Sequence, residues 1–420
     1  MDANQTFDSV NSICVLPHEI TDDQWAFYHA FAWWLEGFGT VLMGCLGIFL
    51  NLTTVWVLLA GELAASFFNW LIVSLAVFDS FCLLNGILEA FRNHLGSSNI
   101  HNYFFVVFLY PFRSIVMCCS IYTTVMLALE RYNAMANPVS HQNPGSRSAK
   151  QSLRYFFLFH GIRLLKYIGP IICLATLFYI PKRLEVGIRN QQRCINTMSN
   201  KSCCYEYEIE IKKLRSNPHY ILWYLNIGNL LITAVIPLMS LAYLNVCIYL
   251  KFKQFIQRQP LSKAATSNLA VSNAQEKMRK REKDTVQQTM ILFSIVILFG
   301  LFHILRIILN VEEFLTLDDK EKAKANNCEW LQLWTIIASP VSHLLLQMSS
   351  SMNFVIYCYF NKSFRDELLS WLNRIAVFMK IRKNSRDQTF TTLDTKSTFL
   401  HNVVQQEMSK FEEVNPESRV

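Results

Sequence analysis

Asp79 is a lone carboxylate in an otherwise apolar stretch, Ser74-Leu75-Ala76-Val77-Phe78-Asp79. A charge in such surroundings is costly unless it meets a partner or a water-filled cavity. Hydroxyls and amides that could donate to it recur in other apolar stretches, at Asn51, Ser120, Ser349, Ser350, Ser351 and Asn353. Such a set can act as hydrogen-bonding glue between helices, or as a hydrated polar core coupled to a moving end. Glu130-Arg131-Tyr132 closes one of these stretches and supplies the charge for such an end. A second set, Glu36, Glu89, Arg113, His303, Arg306 and His343, lies toward the opposite ends of the apolar stretches. His303 and His343 read as buried polar groups and not as metal ligands, because no Cys, Asp or Glu cluster has ligand spacing with them.

The elements that must hold these residues are membrane helices. Of 420 residues, 52% are hydrophobic and only 17% charged, and Phe alone contributes 31. Soluble domains average about 25% charged, so the composition argues against a soluble enzyme or a nucleic-acid binder. A helix needs about 20 apolar residues to cross a bilayer. Seven such blocks run roughly over 35–60, 67–90, 103–135, 164–180, 220–250, 286–309 and 330–359. The fourth is the weakest, with Arg163 and Lys166 at its start and Pro170 inside it; long basic side chains can snorkel to a membrane edge. The fold class is therefore an all-α membrane protein, a seven-transmembrane helix bundle.

The positive-inside rule orients it. Residues 1–30 hold no Lys or Arg, whereas the loop at about 251–285 and the tail are rich in both. The first 34 residues are thus read as extracellular, 35–359 as the transmembrane domain, 360–382 as an amphipathic eighth helix with a basic juxtamembrane segment, and 383–420 as a disordered cytoplasmic tail. The middle of the third inner loop, 260–275, reads as disordered, and its basic end could meet acidic headgroups. Residues 1–30 lack the pattern of a signal peptide, so the first span is expected to serve as its own insertion signal. The sequons at Asn4 and Asn200 fall on the outer side and are candidate glycosylation sites. Cys14, Cys194, Cys203, Cys204 and Cys328 also fall outside, where disulfides persist; their connectivity is open.

The order Asn51, Asp79, Glu130-Arg131-Tyr132, Pro138, Pro237, Phe299 and Asn353-Phe354-Val355-Ile356-Tyr357 resembles the rhodopsin-like G-protein-coupled receptors. A narrower resemblance, to the invertebrate FMRFamide-type neuropeptide receptors, is carried by Tyr110-Pro111, Pro181-Lys182-Arg183-Leu184-Glu185, His303-Ile304-Leu305-Arg306 and Ser349-Ser350-Ser351-Met352-Asn353-Phe354. Several positions depart from the broad pattern. Val106 stands near the usual outer Cys of the third helix, His303 replaces the usual Trp of the sixth, Leu305 the Pro after it, and Phe354 the usual Pro of the seventh.

The resemblance implies a receptor and not an enzyme, placed in the plasma membrane and signalling through a heterotrimeric G protein. Arrestin and a receptor kinase are further implied partners, with the Ser- and Thr-bearing tail as their substrate. Asp79, Ser120, Ser349 and Asn353 look like a sodium and water pocket. Arg131 looks like the cytoplasmic switch, with Glu130 and Asp284 as its expected partners and Tyr132 and Tyr357 beside it. The implied ligand is an extracellular amidated peptide, in a cavity drawn from Glu89, Phe112, Arg113, Trp223, His303, Arg306, Glu313 and His343. The alternatives are a same-fold receptor for a small molecule or odorant and, third, a transporter or channel; no internal repeat supports the last. Two questions stay open in that cavity. Glu89 either meets the ligand or pairs with Arg113 or Arg306, and the basic side chains also admit an acidic ligand.

Overall fold

The computed structural model describes residues 21–60, 63–64, 66–96, 98–136, 153–196, 201–258, 269–325 and 332–377. The chain divides into two compact units between Lys362 and Ser363. The first contains seven long helices: α1 (Asp22–Leu59), α2 (Phe67–His94), α3 (Asn99–Ala136), α4 (Leu153–Tyr179), α5 (Pro218–Lys251), α6 (Leu269–Leu315) and α7 (Leu333–Phe360). Among the described residues six helices are long and apolar enough to cross a membrane. The seventh, α7, has the length but not the apolarity, because Ser342, His343, Gln347, Ser349, Ser350, Ser351 and Asn353 fall along it. Its polarity marks it as the helix that serves the interior.

Helix boundaries follow local chemistry where it is strong. Thr21 and Gln24 form a reciprocal capping box, the Thr21 amide donating to Gln24 Oε1 at 3.0 Å and the Gln24 amide to Thr21 Oγ1 at 3.4 Å. The first helix therefore starts at Asp22, well ahead of the apolar block at Leu35. The sixth starts at Leu269, so residues 269–285, predicted to be loop, are helical. Their Ala, Gln, Glu, Lys, Met and Arg are strong helix formers, and the apolar count did not register them. Residues 363–377 of the second unit are also helical, with Leu369, Leu372 and Val377 exposed.

Packing is inverted relative to a soluble protein. Phe49, Trp56, Leu174, Met239 and Leu301 are each at least 60% exposed, while Asn51, Asp79 and Asn85 are at most 2% exposed. Apolar residues face outward and polar ones inward, as a lipid solvent requires. Among the described residues Cys45, Cys82, Cys118, Cys119, Cys173 and Cys247 are free thiols, and Cys45 and Cys173 are exposed. Close approach is set by small residues. A Cβ on Gly47 would lie 2.2 Å from Ser351 Oγ and 2.8 Å from Leu83 Cδ1. That proximity brings α1 against α2 and α7 and lets Asn51 Nδ2 donate to the Ser350 carbonyl at 3.1 Å.

One element departs from the all-α reading. Strands β1 (Val186–Asn196) and β2 (Lys201–Ile211) form an antiparallel hairpin between α4 and α5, in the register Val186↔Ile211 to Asn196↔Lys201. Ile188 and Ile209 pair across it and pack with Val186 on Phe105, Val106 and Leu109 of α3. Alternation in Glu206-Tyr207-Glu208-Ile209-Glu210-Ile211 carries the period-2 signal of a half-buried strand, short beside the seven apolar blocks. In this hairpin Cys194 lies opposite Cys203. The side chains of Cys194, Cys203 and Cys204 are outside the described residues, as are Cys14, Cys328, Asn4, Asn200 and the tail from 378.

The Gly47 contact predicts a stability difference. Gly47→Ala should cost about 1–3 kcal/mol, the usual range for overpacking a tight interior. Gly161→Ala, where an added Cβ meets nothing within 4 Å, should lose nothing. Thermal unfolding of the two solubilised variants checks this; equal melting temperatures would contradict the tight-contact account.

Candidate functional site

Asp79 is 2% exposed on α2. Ser120 Oγ of α3 donates to its Oδ1 at 2.6 Å, and Asn353 Nδ2 of α7 donates to its Oδ2 at 2.8 Å. Ser349 and Ser350 line the same cavity, together with Gln347. The cavity measures about 70 Å³, enough for a few waters at roughly 10–15 Å³ each and too small for a peptide. Its carboxylate and hydroxyl oxygens are the donor type that a hard cation prefers, so these residues fit a sodium ion.

The cavity continues toward the outside past Phe299, His303, Arg113 and His343. His303 stacks on Phe299 with ring centroids 4.0 Å apart. Arg113 pairs with Glu89, the pairing alternative for that carboxylate. His343 Nδ1 lies 2.7 Å from Glu36 Oε1, and His94 Nε2 lies 3.6 Å from Glu36 Oε2. The remaining members of the predicted ligand set are dispersed. Phe112 stacks on Phe108 at 4.7 Å and meets Phe81 edge-on at 5.8 Å. Trp223 is 63% exposed and is not among the cavity-lining residues. Glu313 is exposed, and Arg306 is half-buried near it.

Above the cavity sits a residue noted in the sequence only as part of a motif. Glu185 is fully buried. Its carboxylate accepts from Tyr110 of α3, from Arg215 Nη1 at 2.9 Å and from Tyr220 at 2.8 Å. Its backbone carbonyl accepts from the Lys212 amide at 2.8 Å. Burial alone would weaken the Arg215 charge, but Tyr110 and Glu185 outweigh it, and the pKa of Arg215 rises above the usual guanidinium value. A second tether joins Tyr207 of β2 to the start of α3. The Tyr207 amide donates to Asn99 Oδ1, and Asn102 Nδ2 donates to the Tyr207 carbonyl, both at 2.9 Å. The hairpin is thus bound to α3 and α5 by noncovalent contacts around Val106, where a cysteine bridge is usual in the family that the sequence resembles. A lone Glu after Pro181-Lys182-Arg183-Leu184 gave no local signal of three distant donors.

At the end of the bundle away from the hairpin, Arg131 is 8% exposed. Its guanidinium lies 3.7 Å over the Phe68 ring of α2. Glu130, its expected partner, lies within electrostatic reach of Arg131, and Glu130 Oε1 also pairs with Arg163 Nη2 of α4 at 3.2 Å. Arg163 itself lies 4.0 Å over Phe67. Two adjacent phenyl rings at the start of α2 therefore hold two guanidiniums, and a stacked planar cation uses surface that an ion pair along one helix would not. The Asp284 side chain is outside the described residues. Tyr132 is half-buried and Tyr357 is 2% exposed.

Residues 50–357 match the family model described as "7 transmembrane receptor (rhodopsin family)". The FMRFamide receptor of Drosophila melanogaster is 24% identical to the chain over 365 residues, 84% of this chain and 55% of that protein. The chain thus spans about half the length of the curated relative it matches.

Glu185→Gln tests the tether. Removing one partner of a buried ion pair costs about 3–5 kcal/mol, which at a few degrees per kcal/mol predicts a melting temperature lower by roughly 5–10 °C. A variant that melts with the wild type would show that Glu185 does not hold the hairpin.

Proposed function

The chain belongs to the rhodopsin family of seven-transmembrane receptors, and from that premise we propose that it is a receptor for an extracellular neuropeptide, of the amidated FMRFamide-like class, signalling through a heterotrimeric G protein. The observation that carries the reading is the continuity of one cavity, from Arg113, His303 and His343 down to Asp79, Ser120 and Asn353. A ligand reaching Arg113, His303 and His343 would touch residues that line the same cavity as the polar core. An FMRFamide receptor among its relatives supports a peptide as that ligand.

Such a receptor performs no covalent step. The ligand shifts a conformational population by its differential affinity for the two states, with a coupling energy of typically 1–3 kcal/mol. Asp79, Ser120, Ser349 and Asn353 would hold sodium, which supplies the countercharge to the buried carboxylate. Helix motion at the inner end would release Arg131 from Phe68 and expose its donors to the G protein, with Tyr132 and Tyr357 adjoining. The basic inner loop and acidic N-terminal segment support an extracellular N-terminus in the plasma membrane. Arrestin and a receptor kinase would act on the tail.

The test is agonist-stimulated nucleotide exchange on a G protein, normalised to surface expression. Arg131→Ala should abolish exchange and change peptide affinity by no more than the coupling factor of about 5–150. Arg131→Lys should also lose most of the signal, because an ammonium does not reproduce the planar donor fork. Full exchange by both variants would remove Arg131 from the switch. A library of amidated peptides that elicits no exchange from the wild type would remove the peptide reading itself.

A further inference from the structure

The polar residues of the outer cavity wall are braced from behind. Arg113 lines the cavity and pairs with Glu89 of α2; His343 lines it and meets Glu36 of α1. Glu89 and Glu36 are not among the residues that line it. In the sequence Glu36 is one acid near the outer end of an apolar stretch, 307 residues from His343.

An unusual backbone places that acid. The first helix widens into a π-helical turn over Trp33–Gly39, where the Thr40 hydroxyl and amide both donate to the Leu35 carbonyl. The second helix widens in the same way over Phe91–Leu95. Such turns are rare in helices and concentrate at functional sites. Here the two meet: a Cβ on Gly37 would lie 3.2 Å from His94 Cβ. The close approach sets the Glu36 carboxylate between α2 and α7. One oxygen lies 2.7 Å from His343 Nδ1 and the other 3.6 Å from His94 Nε2.

This partner fixes the chemistry of the ring. An ionised carboxylate only accepts, so His343 Nδ1 carries the proton that it shares with Glu36. The hydrogen bond at one ring nitrogen decides the role of the other, and Nε2 of the neutral ring is then an acceptor. A charge-assisted bond of this length also holds the ring's orientation. Without it the imidazole would exchange tautomers and rotamers, and a ligand would have to order it on binding. We propose that Glu36 is the positioning residue for His343, holding Nδ1–H so that Nε2 accepts a hydrogen bond from an N–H group of the activating peptide. The inference rests on the peptide-receptor reading and adds to it a residue of the first helix that contributes nothing to the cavity wall itself.

The experiment is a double-mutant cycle on the full chain in cells. A library of synthetic amidated peptides that includes Phe-Met-Arg-Phe-amide supplies the probe, its most potent member, read by nucleotide exchange normalised to surface expression. Glu36→Ala and His343→Ala should each lower potency about tenfold or more, the range of a charge-assisted hydrogen bond. The double variant should be weaker than His343→Ala by no more than about twofold, because Glu36 acts through that ring. Glu36→Gln, whose side-chain carbonyl still accepts from Nδ1, should return potency to within about threefold of the wild type. A role confined to packing α1 gives the opposite pattern, with losses that multiply in the double variant and no rescue by Gln. Multiplying losses, a Glu36→Gln as weak as Glu36→Ala, or a Glu36→Ala as potent as the wild type overturns this inference and leaves the peptide reading intact. A library with no active member overturns both. Where Glu36→Ala fails to reach the surface, Glu36→Leu, which fills the space and accepts no hydrogen bond, takes its place in the cycle. Failure of both to reach the surface marks Glu36 as a folding residue and counts against the inference.

Discussion

A carboxylate buried in a helix that lipid surrounds must be satisfied from within the bundle, and Asp79 sets that requirement here. It takes one donor from α3 and one from α7. Three helices distant in sequence are thereby tied at one point. The demand also explains why α7 is too polar to rank with the other spans: its Ser and Asn residues serve the interior. Gly47 meets the same demand from the other side, because only a hydrogen at that position lets α1 approach Ser351 so closely. The cost of burying an unpartnered charge far exceeds that of one glycine in a helix, so the polar centre dictates the packing around it.

The two ends of the bundle solve different problems by different means. One end holds a hairpin against α3. It does so with a buried Glu185 that gathers three side-chain donors, with the Asn99 and Asn102 bonds to Tyr207, and with an apolar seam on Val106. The other end keeps the Arg131 cation largely out of solvent. Stacking Arg131 on Phe68 does that without neutralising it, since the ring attracts the cation electrostatically and fills space around it. The neighbouring acid, Glu130, also pairs with Arg163 of α4.

Much of this was legible in the residues. Seven helices follow from seven apolar blocks, and the second begins at Phe67 as the block does. Asp79, Ser120 and Asn353 could be grouped because each is an isolated polar residue in an apolar run, where a polar residue has few reasons to be. The partners of Glu185, Arg131 and Glu130 were not legible. Each lies beside other charges at a helix end or in a loop, and hydropathy does not distinguish a buried carboxylate with three donors from a solvated one. Trp223 misled for a related reason. An aromatic near the outer end of a span fits a ligand cavity and a lipid-facing surface equally well, and its 63% exposure belongs to the second. The hairpin was missed because its strand period occupies a short polar stretch between much stronger apolar signals.

The central claim is that the Asp79 centre is an ion-responsive core joined to the outer cavity, and the direct measurement is agonist affinity as a function of sodium. Peptide affinity would be determined on membranes of the wild type and of Asp79→Asn while sodium replaces a larger monovalent cation at constant ionic strength. The account predicts that sodium weakens agonist affinity in the wild type, because the ion favours the state that the agonist does not, and that Asp79→Asn removes the dependence. A wild-type affinity that is flat across the titration, or a dependence that survives in Asp79→Asn, would contradict it.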